Sequence, residues 1–130
     1  GTVMKNGDSG TVDGLPIMAV AAYNTSADKQ QFHPKGRGNG YVLSFGDKKI
    51  YIAGDTEDTP EMDALTGIDV AFLPMNQPYT MTPEQAATAV KAFKPKVVYP
   101  YHSKGTDTKA FADLVGSAAE VRLRDWYAAG

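Results

Sequence analysis

The chain has no cysteine in its 130 residues. That excludes disulfides and thiolate metal sites, and leaves histidine and carboxylate as the side chains able to build a transition-metal site, with zinc the usual ion. Histidine is scarce as well, with only His33 and His102 present. No stretch approaches the roughly 18 consecutive apolar residues of a membrane span, and Gly1 to Gly10 is polar with no apolar signal core. The sequence therefore predicts a cytoplasmic chain with no membrane partner. Also missing is a block of one charge sign: 13 Lys plus Arg stand against 15 Asp plus Glu, a formal charge of -2, which leaves no electrostatic footprint for nucleic acid. A Gly-x-Ser-x-Gly elbow is absent, so nucleophilic serine catalysis has no support. What remains is a single domain, long enough to bury a core without staples.

Hairpin signals fill the first part of the chain. Thr2 to Val12 predicts an edge strand and a turn around Lys5 to Asp8. Leu15 to Tyr23 is the first dense apolar run and reads as a strand. Asp28 to Asn39 reads as a long polar loop holding His33 and Arg37, a length that is usually functional or disordered. Its Gly-rich end, Gly36 to Gly40, precedes a strand instead of joining a strand to a helix, so it makes no phosphate cradle. Tyr41 to Phe45 and Lys49 to Ala53 then form a hairpin.

From there the pattern alternates strand with helix, which argues for parallel or mixed pairing. Thr59-Pro60 starts a short helix with Met62 and Leu65 inward and Gly67 as its stop. Val70 to Leu73 is a strand. Thr82 to Lys94 carries the strongest helix signal: Thr82, Pro83 and Gln85 make a capping box, and Ala86, Val90 and Phe93 share one face. Val97 to Tyr101 is a strand, Asp107 to Val115 a helix with Phe111 and Leu114 inward, and Val121 to Leu123 a last short strand.

Val70 to Leu73 and Val97 to Tyr99 are apolar at successive positions, so both faces of these strands want burial. The three helices, however, can all lie on one face of a mixed sheet. Covering about 400 Å² of the other face at about 25 cal/mol/Å² is worth on the order of 10 kcal/mol. The sequence thus predicts an α/β fold with helices on one face and a partner layer supplied by a second copy or by a missing part of the domain.

The candidate chemistry sits where strands end. Gly54-Asp55-Thr56 closes the strand Ile50 to Ala53, and ligands in layered α/β folds collect outside the carboxyl ends of strands. Asp55 is either such a ligand-facing carboxylate or the cap of the following turn. His102 ends the strand Val97 to Tyr101 in the same way, so the two can converge as metal ligands, still short of the four that tetrahedral zinc takes. Three readings stay open for His33: third ligand of a two-His, one-carboxylate set, binder of an anionic substrate beside Arg37, or solvated loop histidine.

Taken together, Tyr51-Ile-Ala-Gly-Asp55-Thr56, Phe72-Leu-Pro-Met-Asn76, Tyr79-Thr-Met-Thr-Pro-Glu84-Gln-Ala-Ala and Lys94-Pro-Lys-Val-Val-Tyr-Pro-Tyr-His102 resemble the carboxyl-terminal half of a metallo-β-lactamase-superfamily hydrolase. The branch they are most similar to is that of ascorbate-6-phosphate lactonase. This resemblance implies half of an αββα sandwich, a site holding zinc or another divalent metal, and a small-molecule ester, lactone or phosphoester as substrate. Asp55 resembles the family's metal-bridging carboxylate and His102 its late histidine ligand, with His33, Arg37 and Asn76 as substrate-binding candidates. The family's His-x-His-x-Asp-His motif is absent, and Asn24 stands where a further histidine would follow the first long strand. The implied partner is therefore the amino-terminal half or a second copy, and hydrolysis by this chain alone is not expected. The alternative is a non-catalytic assembly module that dimerises sheet to sheet.

Overall fold

The computed structural model describes residues 7, 9–12, 15–23, 38–54, 56–75, 80–101 and 107–123. Its strands are β1 (Ser9–Val12), β2 (Leu15–Ala22), β3 (Gly38–Phe45), β4 (Lys48–Ile52), β5 (Val70–Pro74), β6 (Val97–Tyr101) and β7 (Glu120–Val121), with helices α1 (Pro60–Asp63), α2 (Pro83–Phe93) and α3 (Thr108–Val115) between the later ones. All seven strands form one sheet in sequence order, antiparallel from β1 to β4 and parallel from β4 to β7. This is the mixed sheet expected from the switch between hairpins and strand-helix alternation.

The strand order explains where the helices go. A crossover between parallel strands of one sheet is right-handed almost without exception. Because the order of β4, β5, β6 and β7 never reverses, each crossover places its helix on the same side. Accordingly α2 packs against both α1 and α3. Under the helices lie Tyr51, Ala71, Leu73 and Val98 from the sheet, with Met62, Ala86, Val90 and Phe111 from above, all at 0% exposure. Phe93 meets the Tyr51 ring edge-on at 5.9 Å.

The helix ends are those the sequence signals. Thr82 caps α2 by accepting from Gln85 N–H while the Gln85 side chain accepts from Thr82 N–H. Lys94 closes the helix in the left-handed conformation before Pro95. Thr59 accepts from Met62 N–H and starts α1.

Several boundaries differ from expectation. The loop expected to run through Asn39 gives way to β3 at Gly38, because β2 offers ladder partners there: Ala22 pairs with Gly38 and Val20 with Gly40. α1 stops at Asp63, well before Gly67. The last strand is Glu120–Val121, with Leu123 exposed. Leu114, expected inward, is 41% exposed, and Val115 takes its place in the core beside Phe111. Helix α3 packs against α2, and the stripe this covers is the narrow one of Phe111 and Val115, four residues apart. The turn expected at Lys5 to Asp8 falls, except for Gly7, outside the described residues.

Among the described residues, no helix covers the second sheet face. Two rows cross it in register: Ile17, Leu43, Ile50, Val70 and Val97, then Tyr41, Ile52, Phe72 and Tyr99. None of these side chains is buried, and Ile52 is 40% exposed. Phe72 and Tyr99 stack with centroids 5.2 Å apart. No described helix is long and apolar enough to cross a membrane.

Candidate metal centre

The same topology that aligns the helices also sorts the strand ends. Strands β2, β4, β5 and β6 all finish at one edge of the sheet, and β3 starts there. With strands about 4.8 Å apart, the ends of β4 and β6 stand about 10 Å from each other. By sequence, Asp55 follows β4, Asn76 follows β5, His102 follows β6 and Arg37 directly precedes β3. Asp55, Asn76, His102, His33 and Arg37 themselves lie outside the described residues. Among the described residues no three His, Cys, Asp or Glu side chains are grouped to hold a metal ion. A centre at this edge has to draw on residues outside them, where Asp55, His102 and His33 lie.

The connection leaving β4 is well defined on both sides of Asp55. Ala53 N–H continues the parallel ladder to Phe72 C=O at 3.1 Å. Gly54 then turns the chain at φ +74°, a conformation that only glycine adopts freely. Past the turn, Thr56 and Glu57 are fully buried against Tyr23, the residue that follows β2. Tyr23 N–H donates to Thr56 Oγ1 at 3.0 Å, and Glu57 N–H donates to Tyr23 C=O at 3.0 Å. The single Thr56 hydroxyl proton has two acceptors, Tyr23 C=O at 2.9 Å and Glu57 C=O at 2.7 Å.

Further bonds tie this connection to the helices. Gln85 Nε2 donates to the buried Glu57 carboxylate at 2.6 Å, so the residue that boxes α2 also holds the loop. Tyr23 donates its hydroxyl to Glu61 Oε2 at 2.8 Å. Burial, reinforced by that carboxylate, pushes the Tyr23 hydroxyl up to about 12. It therefore stays a donor at neutral pH.

Asp58 and Asp63 flank α1 at the positions just before the cap and four residues into the helix, where many helices carry an apolar staple. Here two carboxyls occupy it. Burial and the hydrogen bond to Asp63 push Asp58 up to about 8, so Asp58 keeps its proton at neutral pH. The folded protein thus binds that proton more tightly than the unfolded chain between about pH 4 and pH 8. Stability falls as pH rises through that window and levels off above it. Between pH 5 and pH 8 the expected loss is about 1–2 kcal/mol, discounted because the pair is half exposed. Asp58→Asn should flatten the slope in urea unfolding at the two pH values; an unchanged slope would assign it to other groups.

None of Thr56, Glu57, Tyr23 or the Asp58–Asp63 pair was singled out from sequence. Polar residues past a strand look like ordinary loop, and Tyr23 is 33 residues from the hydroxyl it clamps.

Residues 1–102 match the family model described as Beta-lactamase superfamily domain, and the chain belongs to that family. In particular it is similar to a metal-dependent hydrolase of Thermococcus onnurineus, 38% identical over an alignment 129 positions long that covers 92% of this chain and 57% of that one. A crystal structure from Parabacteroides distasonis, of a protein assigned as a metal-dependent hydrolase, superposes with a TM-score of 0.93 at 50% identity, over 96% of this chain and 58% of that one. Igni18, a metallo hydrolase from Ignicoccus hospitalis, superposes with a TM-score of 0.75 at 32% identity, over 92% and 55%. The chain thus spans a little over half the length of these relatives. The resemblance drawn from the four motifs holds at the level of the family; none of these relatives points to the ascorbate-6-phosphate lactonase branch.

Proposed function

We propose that this chain is the carboxyl-terminal part of a metal-dependent hydrolase, in which Asp55 and His102 ligate a divalent metal, zinc in the leading assignment. The observation that carries the reading is the common edge at which β4 and β6 end, with Asp55 three residues past one and His102 directly after the other. Two ligands are fewer than a catalytic zinc site uses. The rest would come from residues outside these 130, consistent with a span of a little over half the length of the relatives.

A bound metal would supply Lewis acidity and an activated water. Asp55 offers carboxylate oxygens, His102 a neutral ring nitrogen, and His33, Arg37 and Asn76 hold the polar groups of an ester, lactone or phosphoester. The uncovered rows from Ile17 to Val97 and from Tyr41 to Tyr99 suit packing against a second sheet. A second copy is the other occupant of that face, and a non-catalytic dimer is the competing reading that the same rows favour.

Metal content separates the two. Elemental analysis of the intact protein, with turnover of a generic phosphodiester or lactone, should show bound metal and activity that Asp55→Asn and His102→Ala each reduce by at least about 100-fold. Both variants matching wild type in metal and activity would leave the assembly reading standing.

A further inference from the structure

The clamp between Tyr23 and Thr56 joins two connections that are far apart in sequence and leave the sheet at the same edge. One continues from Tyr23 into Asn24, the position where the resemblance puts a ligand. The other runs from Gly54 through Asp55 to Thr56. Between their strands lies β3, and the β4 connection crosses its end at Gly40, where a Cβ would stand 2.4 Å from Ala53 O. Without a side chain at Gly40, Thr56 reaches over β3 and bonds both the N–H and the C=O of Tyr23. Glu57 adds a third bond to the same residue.

We infer that Thr56 is a positioning residue for the metal centre, whose hydroxyl sets the separation of the turn containing Asp55 from the end of β2. The inference rests on Asp55 being a ligand, as proposed above. Its physical basis is burial: Thr56 is fully buried, its oxygen is the acceptor for Tyr23 N–H and its proton is shared between Tyr23 C=O and Glu57 C=O, so without the hydroxyl the buried Tyr23 N–H loses its partner, which is costly. Gly54, at positive φ, supplies no stiffness of its own to the turn. The constraint on this connection therefore comes from Thr56 and Glu57, which follow Asp55 in sequence. Outer-shell contacts of this kind commonly govern metal affinity.

The test uses the intact protein as wild type, Thr56→Val and Thr56→Ser, each stripped of metal and titrated with Co²⁺ by visible absorption. Amide exchange at Tyr23 and Glu57 and turnover of a phosphodiester are followed in parallel. Thr56→Val keeps the shape and removes the hydroxyl. It should bind Co²⁺ about 10- to 100-fold more weakly, with a changed absorption band and faster exchange at both amides. It should also lose kcat while KM moves less than about twofold, and Thr56→Ser should restore all of these. A Thr56→Val protein that melts earlier but keeps the wild-type Co²⁺ affinity and spectrum overturns the inference, leaving Thr56 a purely structural residue. Failure of the wild type to take up Co²⁺ sinks the hydrolase reading and this inference together, whereas a metal-loaded wild type beside an indifferent variant sinks this inference alone.

Discussion

Gly40→Ala is expected to destabilise the protein by at least about 3 kcal/mol, the upper end of what overpacking costs. The new methyl group would stand 2.4 Å from Ala53 O, 2.6 Å from Ile52 O and 2.7 Å from Ala53 C. These are backbone atoms held by ladder bonds: Ile52 pairs with Tyr41 on one side and Phe72 on the other, and Ala53 N–H bonds Phe72 C=O. No rotamer change can relieve such a contact. Either β3 separates from β4 or the connection after β4 lifts off, and the second outcome releases the Thr56 clamp as well. The urea midpoint of the variant checks this, and a midpoint equal to wild type would mean that the two segments do not cross as described. This glycine is required by close approach and not by backbone freedom, since Gly40 has no positive φ.

Phe111→Ala should cost about 3–5 kcal/mol, while Leu114→Ala, one helical turn away, should cost under about 1 kcal/mol. Phe111 has no exposed surface and joins the core under α3, where truncation leaves a cavity beside α2. Leu114 is 41% exposed. Helical periodicity alone treats the two residues alike, so comparing them tests the placement of α3 and not its existence. Thermal unfolding of both variants reads the difference. Equal losses would show that α3 is rotated toward Leu114.

The elements that were legible from sequence are those whose causes lie within a few residues. The capping box of Thr82 and Gln85, the stripe of Ala86, Val90 and Phe93, and the end of α2 ahead of Pro95 all act over one to four positions; the left-handed conformation of Lys94 that closes the helix is seen only in the structure. The two-faced strands Val70 to Leu73 and Val97 to Tyr99, read with helices on one face only, correctly required an uncovered apolar face. Leu114 failed because periodicity says which residues share a side and not whether another element reaches them. The start of β3 failed because Gly38 and Asn39 have no strand propensity of their own, and are drawn into the ladder by β2.

At the candidate site the division is similar. Residue types and strand endings single out Asp55 and His102, because a carboxylate after Gly54 and a histidine after a buried strand are local patterns. Their neighbourhood is not local. Tyr23 and Thr56 are 33 positions apart, and Glu57 and Gln85 are 28 apart; the composition of either segment gives no sign of the other.

By itself, the sequence narrowed the chemistry open to this protein: no thiolate, no serine elbow, no block of basic charge, and one histidine and one carboxylate, His102 and Asp55, that each follow a strand. It also determined that one apolar sheet face exceeds what its own helices can cover. Tertiary structure alone decided that β2, β4, β5 and β6 finish at a common edge, that the connection after β4 crosses Gly40, and that the buried hydroxyl of Thr56 closes on Tyr23. The reason is physical: hydrogen bonds within a turn or a helix are encoded by adjacent residues. Contacts between strand ends exist only once the order of the whole sheet is set.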